Sequence, residues 1–203
     1  MLPIEKVTAI SFVVPFFVTI LAVLFLGEKI YIYRTLALIL GFIGMIIILR
    51  PGIINISIGV YMALASSLMW SVVIIITKSI AKDDSSITIL SYGYTIMTIL
   101  SFIIVLFYWQ TPSLETLIYL FFAGLSGTLL HLCINHAYKL VDVSMTQPYS
   151  FLSLVFASLV GYFVFSEKPD LFTWIGASII FLGVLIMSYR EMKLDKEIIR
   201  KRI

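Results

Sequence analysis

All eleven carboxylates of this 203-residue chain lie outside its long apolar stretches, and that segregation constrains the fold more than any other feature. A charged side chain in a bilayer core costs about 2.5–3.5 kcal/mol on insertion scales, and a run of roughly 20 mostly apolar residues is enough to span one. Cutting the chain at its charged residues predicts seven spanning helices: Val7–Leu26, Thr35–Leu49, Pro51–Thr77, Ser85–Leu114, Thr116–Tyr138, Val143–Ser166 and Leu171–Tyr189. The connections between them leave no room for a soluble domain. The expected fold class is therefore all-α, a polytopic membrane helical bundle. With 61% of residues hydrophobic and 12% charged, a cytosolic enzyme or nucleic-acid binder is excluded, since soluble domains run nearer 25% charged. Cys133 is the single cysteine, so no intrachain disulfide or cysteine-rich metal site is available. The first apolar run lacks a basic leader and a small-residue cleavage site, so it does not read as a signal peptide. The second stretch has 15 residues and reaches only about 22 Å. Arg34 is therefore expected to snorkel, with Tyr31 and Tyr33 in the headgroup zone.

Orientation follows from the basic residues. One side of the seven-helix arrangement holds Lys6, Arg50 and Lys168; the other holds eleven, six of them in the segment 190–202. The richer side is expected to be cytoplasmic, which places the C-terminus inside and the N-terminus of this chain outside. The expected location is the cell (inner) membrane, with the basic tail as an orientation anchor or a patch for anionic lipid.

The chain also repeats itself. A shift of 139 residues aligns Ser11-Phe12 with Ser150-Phe151, Glu28-Lys29 with Glu167-Lys168, and Phe42, Gly44 and Ile47 with Phe181, Gly183 and Ile186. The two copies are separated by an odd number of helix positions, so they are expected to lie inverted across the bilayer, an arrangement typical of secondary transporters with a midplane site. Three helices precede the second copy and none precedes the first. The expected organisation is an incomplete first repeat over 1–50, a complete five-helix repeat over 51–190 and a basic cytoplasmic tail over 191–203. On that expectation the chain is a fragment, a late start or the product of a decayed gene.

These residues resemble the drug/metabolite transporter superfamily, specifically its EamA-type members. The resemblance is carried by Pro15-Phe16-Phe17, an aliphatic run and Leu26-Gly27-Glu28-Lys29, followed by Ala37 and Gly44. The second copy reads Phe165-Ser166-Glu167-Lys168-Pro169-Asp170, then Gly176, Gly183 and Tyr189-Arg190-Glu191. It implies a fold of ten helices in two inverted halves that moves small metabolites, here lacking the first three helices. The chain departs from the pattern at Ala37, where a glycine is usual, and at Pro148-Tyr149-Ser150-Phe151, where many members carry an arginine. The latter weakens the case for an anionic substrate.

Candidate cavity residues are polar groups at membrane depth. Gly124, Gly127, His131, Asn135 and Tyr138 share one helical face, fitting either a cavity wall or close helix packing with local hydrogen bonds. Thr146, Ser150, Ser153, Ala157 and Gly161 form a second stripe, with Gln147 and Tyr149 beside it. Ser67, Ser71 and Lys78 share a face next to Trp70; Lys78 is expected to snorkel, and Trp70 lines a cavity or fills the core. Tyr92 and Thr95 are weaker candidates, and Trp109 reads as an interfacial anchor. Pro15 lies mid-span and Pro148 in a first turn, both as hinge candidates. The Glu28-Lys29 and Glu167-Lys168 pairs are expected to cap helix ends or pair locally. His131 and His136 are too far apart around the helix to share a metal, and no cofactor is expected.

The function these features point to is alternating-access transport of a small polar metabolite, of the amino-acid or nucleoside-like cofactor class. Superfamily members that take up S-adenosylmethionine look similar over Val143–Ser166. The competing functions are a non-transporting remnant or structural membrane subunit and, less favoured, an intramembrane Ser–His hydrolase. The absence of in-span carboxylates favours a facilitator or exchanger over a proton-coupled carrier. Partners are the metabolite and the lipid bilayer, not nucleic acid, with a homodimer or the missing N-terminal half as protein partner.

Overall fold

The structure, a computed structural model, describes residues 10–50, 58–166 and 169–202, with side chains as far as Lys193 except that of Phe165. The described residues are predominantly helical. They form α1 (Val14–Leu26), α2 (Ile32–Leu49), α3 (Ile58–Ile80), α4 (Ser86–Tyr108) and α5 (Leu114–Leu140), followed by α6 (Val143–Thr146), a 3₁₀ helix (Gln147–Phe151), α7 (Leu152–Phe165) and α8 (Leu171–Arg202). Six helical stretches are long and apolar enough to cross a membrane, with α6, the 3₁₀ turn and α7 counted as one, and α1 is shorter. The expected Glu167-Lys168 pair lies outside the described residues, as do residues 1–9 and 51–57.

Several expectations are corrected. The second helix begins at Ile32 and has 18 residues, about 27 Å, so Arg34 is inside it. Arg34 is 4% exposed and does not snorkel. Pro15 is in the first turn of α1, after a turn at Phe12-Val13, and is not at mid-helix. Its missing N–H therefore falls where no intrahelical bond is due. The stretch Val143–Ser166 is not one α-helix, because the 3₁₀ turn containing Pro148 interrupts it. The last helix continues through the expected tail to Arg202.

The chain divides into two compact units, Met1–Ile75 with Asp142–Ile203, and Ile76–Val141. The first is built on α2 and α8, which run antiparallel: Arg34 meets Glu191 at one end and Arg50 meets Asp170 at the other. Small residues let the backbones touch. A Cβ built on Gly44 would lie 2.7 Å from the Gly176 carbonyl, one on Gly176 would lie 2.6 Å from the Gly44 carbonyl, and one on Gly183 would lie 3.5 Å from the Ala37 carbonyl. Counterparts under the 139-residue shift thus exchange partners: Gly44 meets the counterpart of Ala37, and Ala37 meets the counterpart of Gly44. Phe12 stacks on its own counterpart, Phe151, at 5.6 Å between ring centroids. Gly41, which has no side chain, makes room for the Phe151 ring. Phe151 centres a core with Leu38, Met45, Leu154 and Ile180.

The ends of α1 and α7 match as well. Gly27 (φ 66°) and Ser166 (φ 55°) are left-handed C-caps whose N–H groups donate to Ala22 and Gly161, again counterparts. Glycine takes that conformation without a steric cost; serine does so at about 1–2 kcal/mol.

In the second unit, Ser85 and Ser113 cap α4 and α5 by accepting from the N–H groups of Thr88 and Thr116. The exposed faces of α4 and α5 are apolar along nearly their whole length, as suits a lipid-facing or protein-facing surface.

Candidate functional site

The most concentrated chemistry lies at the start of the interrupted helix. Asp142 is the N-cap residue of α6, but its side chain does not cap; it accepts from Arg34 Nη1 at 2.8 Å. The same Nη1 donates to Ser144 Oγ at 3.0 Å, and Nε donates to Glu191 Oε1 at 2.6 Å. Glu28 takes the capping position. Its Oε1 accepts from the Val143 N–H at 2.7 Å and its Oε2 from the Ser144 N–H at 2.9 Å. A carboxylate on two free helix-start amides is a favourable charge-assisted arrangement. Of the two expectations for Glu28, capping a helix end or pairing locally, the structure shows capping, of a helix that begins 115 residues later. Arg34 also faces the Tyr31 ring, and Arg190 the Tyr33 ring, at 5.2 and 4.5 Å.

From this anchored start the polar segment runs into the apolar span. Gln147 is 5% exposed, and its Nε2 donates to the Val143 carbonyl and to Thr146 Oγ1, both at 3.0 Å. Ser150 donates to the Gln147 carbonyl, and the Tyr149 hydroxyl bonds Ser188 at 2.7 Å. Tyr149 and Ser150 are exposed and Pro148 is buried. On α3, Ser67 and Ser71 are buried and bond carbonyls one turn back, while Ser71 also reaches the Val14 carbonyl at 3.4 Å. Trp70 is exposed, which removes the core-filler alternative.

In the other unit, His131 Nδ1 lies 2.9 Å from the Gly127 carbonyl, so in the neutral ring Nδ1 carries the proton and Nε2 is left as an acceptor. Asn135, one turn further on, is 4% exposed. Tyr92 is exposed and does not join them; Tyr94 does, packing edge-on to His131 at 6.1 Å. A stripe count on α4 alone gives no reason to prefer Tyr94. A Cβ on Gly124 or Gly127 would meet nothing within 4 Å, so the described structure gives those glycines no packing partner. Lys78 corrects its expectation: it is buried and donates to the carbonyls of Tyr138 and Val141 at 2.5 and 2.7 Å, at the negative end of α5. Among the described residues no His, Cys, Asp and Glu side chains gather as a metal site.

At the other end of the α2/α8 pair, Arg50 pairs with Asp170 and lies over the Phe172 ring at 4.1 Å. Beside them is an open depression of about 390 Å³ lined by Leu49, Ser158, Pro169 and Thr173. Asp170 is the cap of α8. Its carboxyl is held down to about 2 by the Thr173 N–H first, then by the Thr173 hydroxyl and Arg50. A carboxyl lowered from its ordinary 3.8 contributes stability that is complete above that value and is lost as the pH falls toward about 2. Asp170→Asn should therefore lower the thermal midpoint at neutral pH, and the difference from the parent should vanish well below pH 2.

Comparison with known proteins places this architecture. The model of the EamA-like transporter family matches residues 1–50 and 57–189. An S-adenosylmethionine uptake transporter of Rickettsia bellii is 35% identical over 191 residues, covering 94% of this chain and 66% of its own length. A riboflavin transporter of Vibrio cholerae is 31% identical over 192 residues, covering 94% and 64%. The chain thus spans just under two thirds of the length of these curated relatives. A solved crystal structure superposes with a TM-score of 0.72 at 15% identity, covering 92% of this chain and 69% of that one, a likeness of fold. With six helical stretches among the described residues able to cross a bilayer, this is a multi-pass membrane protein, and the chain belongs to the EamA-like transporter family.

Proposed function

We propose that this chain forms the larger part of a transporter for a small polar metabolite of the nucleoside-like cofactor class, working by alternating access. The observation that carries the proposal is an apolar span interrupted by the 3₁₀ turn Gln147–Phe151, with Gln147, Tyr149 and Ser150 on it. Interrupted helices near an inverted-repeat axis are where secondary transporters place their substrate, and a mid-helix 3₁₀ turn is a common mark of a functional hinge. The exchanged contacts of Ala37 and Gly44 and the Phe12–Phe151 stack support two inverted copies, one over 1–50 and one ending near 190. The basic residues favour a cytoplasmic C-terminus. His131 and Asn135 on α5 are carried forward as candidate substrate contacts of the second unit. S-adenosylmethionine is the first candidate substrate and riboflavin the second, since relatives carrying those names match over nearly the whole chain.

The test is uptake of labelled S-adenosylmethionine and riboflavin into liposomes containing the purified chain. Saturable uptake of either is expected, reduced by His131→Ala and by Asn135→Ala with unchanged protein incorporation. Uptake no faster than in empty liposomes for both compounds would remove the proposal. Full uptake in both variants would remove α5 from the site.

A further inference from the structure

We propose that Glu28 is a positioning residue for Gln147, and that Gln147 presents its side-chain oxygen to an N–H donor on the transported metabolite. The inference rests on the transport function above and adds to it both the residue that sets the geometry and the polarity of the contact.

The link is a short chain of hydrogen bonds through one peptide unit. Glu28 holds the N–H of Val143 at 2.7 Å, and the carbonyl of Val143 accepts from Gln147 Nε2 at 3.0 Å and from Thr146 Oγ1 at 2.7 Å. Nε2 also donates to Thr146 Oγ1. Both amide hydrogens of Gln147 are therefore committed, and its amide is fixed with Oε1 pointing away from them. No described residue donates to Oε1. Gln147 is 95% buried as a residue, yet among the described residues no fully enclosed side-chain oxygen lacks a partner. The oxygen is therefore not fully enclosed, although the rest of the side chain is packed. It lies four residues from the start of the span Val143–Val164, about 6 Å in, where a lone acceptor is poorly served by water and strongly favours a donor.

An acceptor with no charge selects an amine, ammonium or ring N–H and offers nothing to a carboxylate or phosphate. The nearest charged groups, Glu28 and Arg34 with Asp142 and Glu191, are already satisfied by one another and by the helix start. Glu28 is suited to its role because a carboxylate serves both amides at once. A glutamine there would serve one and set an N–H against the other. Removing the side chain frees the start of α6, the Val143 carbonyl shifts, and the Gln147 amide loses its fixed orientation.

The experiment uses the full chain in liposomes with S-adenosylmethionine and riboflavin, each of which carries N–H donors. Glu28→Ala and Gln147→Ala should each raise KM about tenfold, the equivalent of one lost hydrogen bond to the ligand, with kcat within about twofold. Glu28→Gln should fall between parent and Glu28→Ala. The double variant should be no worse than Gln147→Ala alone, because the two act through one contact. Additive effects, or an unchanged KM in Glu28→Ala, would overturn the positioning role. A second measurement does not depend on the substrate. In a Cys133→Ala background, the thiol introduced by Gln147→Cys should react with a water-soluble thiol reagent, and Glu28→Ala should change that rate several-fold. No reaction overturns the open oxygen, and a rate indifferent to Glu28 overturns the positioning, whether or not either compound is transported. Absence of uptake together with the expected labelling would count against the transport function alone.

Discussion

Replacing Gly44 or Gly176 with alanine is expected to loosen the α2/α8 pair and lower the thermal midpoint of the protein in micelles or lipid. Two opposed effects are at work. Alanine is the better helix former by about 1 kcal/mol, which favours the substitution. Each new Cβ, however, would lie 2.6–2.7 Å from a backbone carbonyl on the facing helix, and a carbonyl in a regular helix has no rotamer through which to retreat. Overpacking of this kind costs about 1–3 kcal/mol when side chains can adjust, so a rigid neighbour places the net effect at or above the upper end. The internal control is Gly124→Ala or Gly127→Ala. There a Cβ meets nothing within 4 Å, and the change should be neutral or stabilising by about 0.5–1 kcal/mol. Equal effects at the two kinds of site, measured as thermal midpoints, would contradict the close α2/α8 approach.

Arg34→Met should be at least as damaging. Arg34 is almost wholly buried and its guanidinium serves Glu191, Asp142 and Ser144 together. Removing one member of a buried ion cluster typically costs about 3–5 kcal/mol, because the partner charges are left without compensation. The larger part should come from Glu191, whose side chain is 12% exposed against 46% for Asp142. Arg34→Met combined with Glu191→Gln should therefore recover a measurable part of the loss, whereas Arg34→Met with Asp142→Asn should recover less. Arg34→Lys should not restore the parent, since one ammonium cannot reproduce the guanidinium fork that reaches both carboxylates. Unfolding in denaturant, followed by helix content in micelles, reads each of these differences.

Much of the fold is legible in the sequence because lipid imposes a simple rule: charges end spans. The six long spans among the described residues follow from that rule, whereas Pro148, read as lying in a first turn, sits in the 3₁₀ interruption. The small residues Ala37, Gly44, Gly176 and Gly183 are visible as a repeated pattern, although a sequence cannot say that they meet crosswise. The charged residues inside helices are misjudged for one reason. Arg34 and Lys78 look like snorkelling cations when only their own helices are considered. Their partners lie 108 and 157 residues away for Arg34 and 60 and 63 residues away for Lys78, and no local spacing reveals a partner at that distance. That Glu28 caps a helix is legible, but which helix is not, because capping rules describe the next helix and this one caps a helix far along the chain. The Gln147–Phe151 turn is signalled by Pro148, but its 3₁₀ geometry arises from packing. Tyr94 is missed and Tyr92 chosen because only the fold shows which of two tyrosines, two residues apart, turns toward His131.

The central structural claim is that α2 and α8 lie antiparallel as counterparts of each other, clamped by charge at both ends. Paired cysteines in a Cys133→Ala background test it most directly. With a short bifunctional thiol reagent in native membranes, Arg34→Cys with Glu191→Cys, and Arg50→Cys with Asp170→Cys, should each cross-link within one chain. Cross-linking of Arg34→Cys with Asp170→Cys instead, with both matched pairs silent, would contradict it.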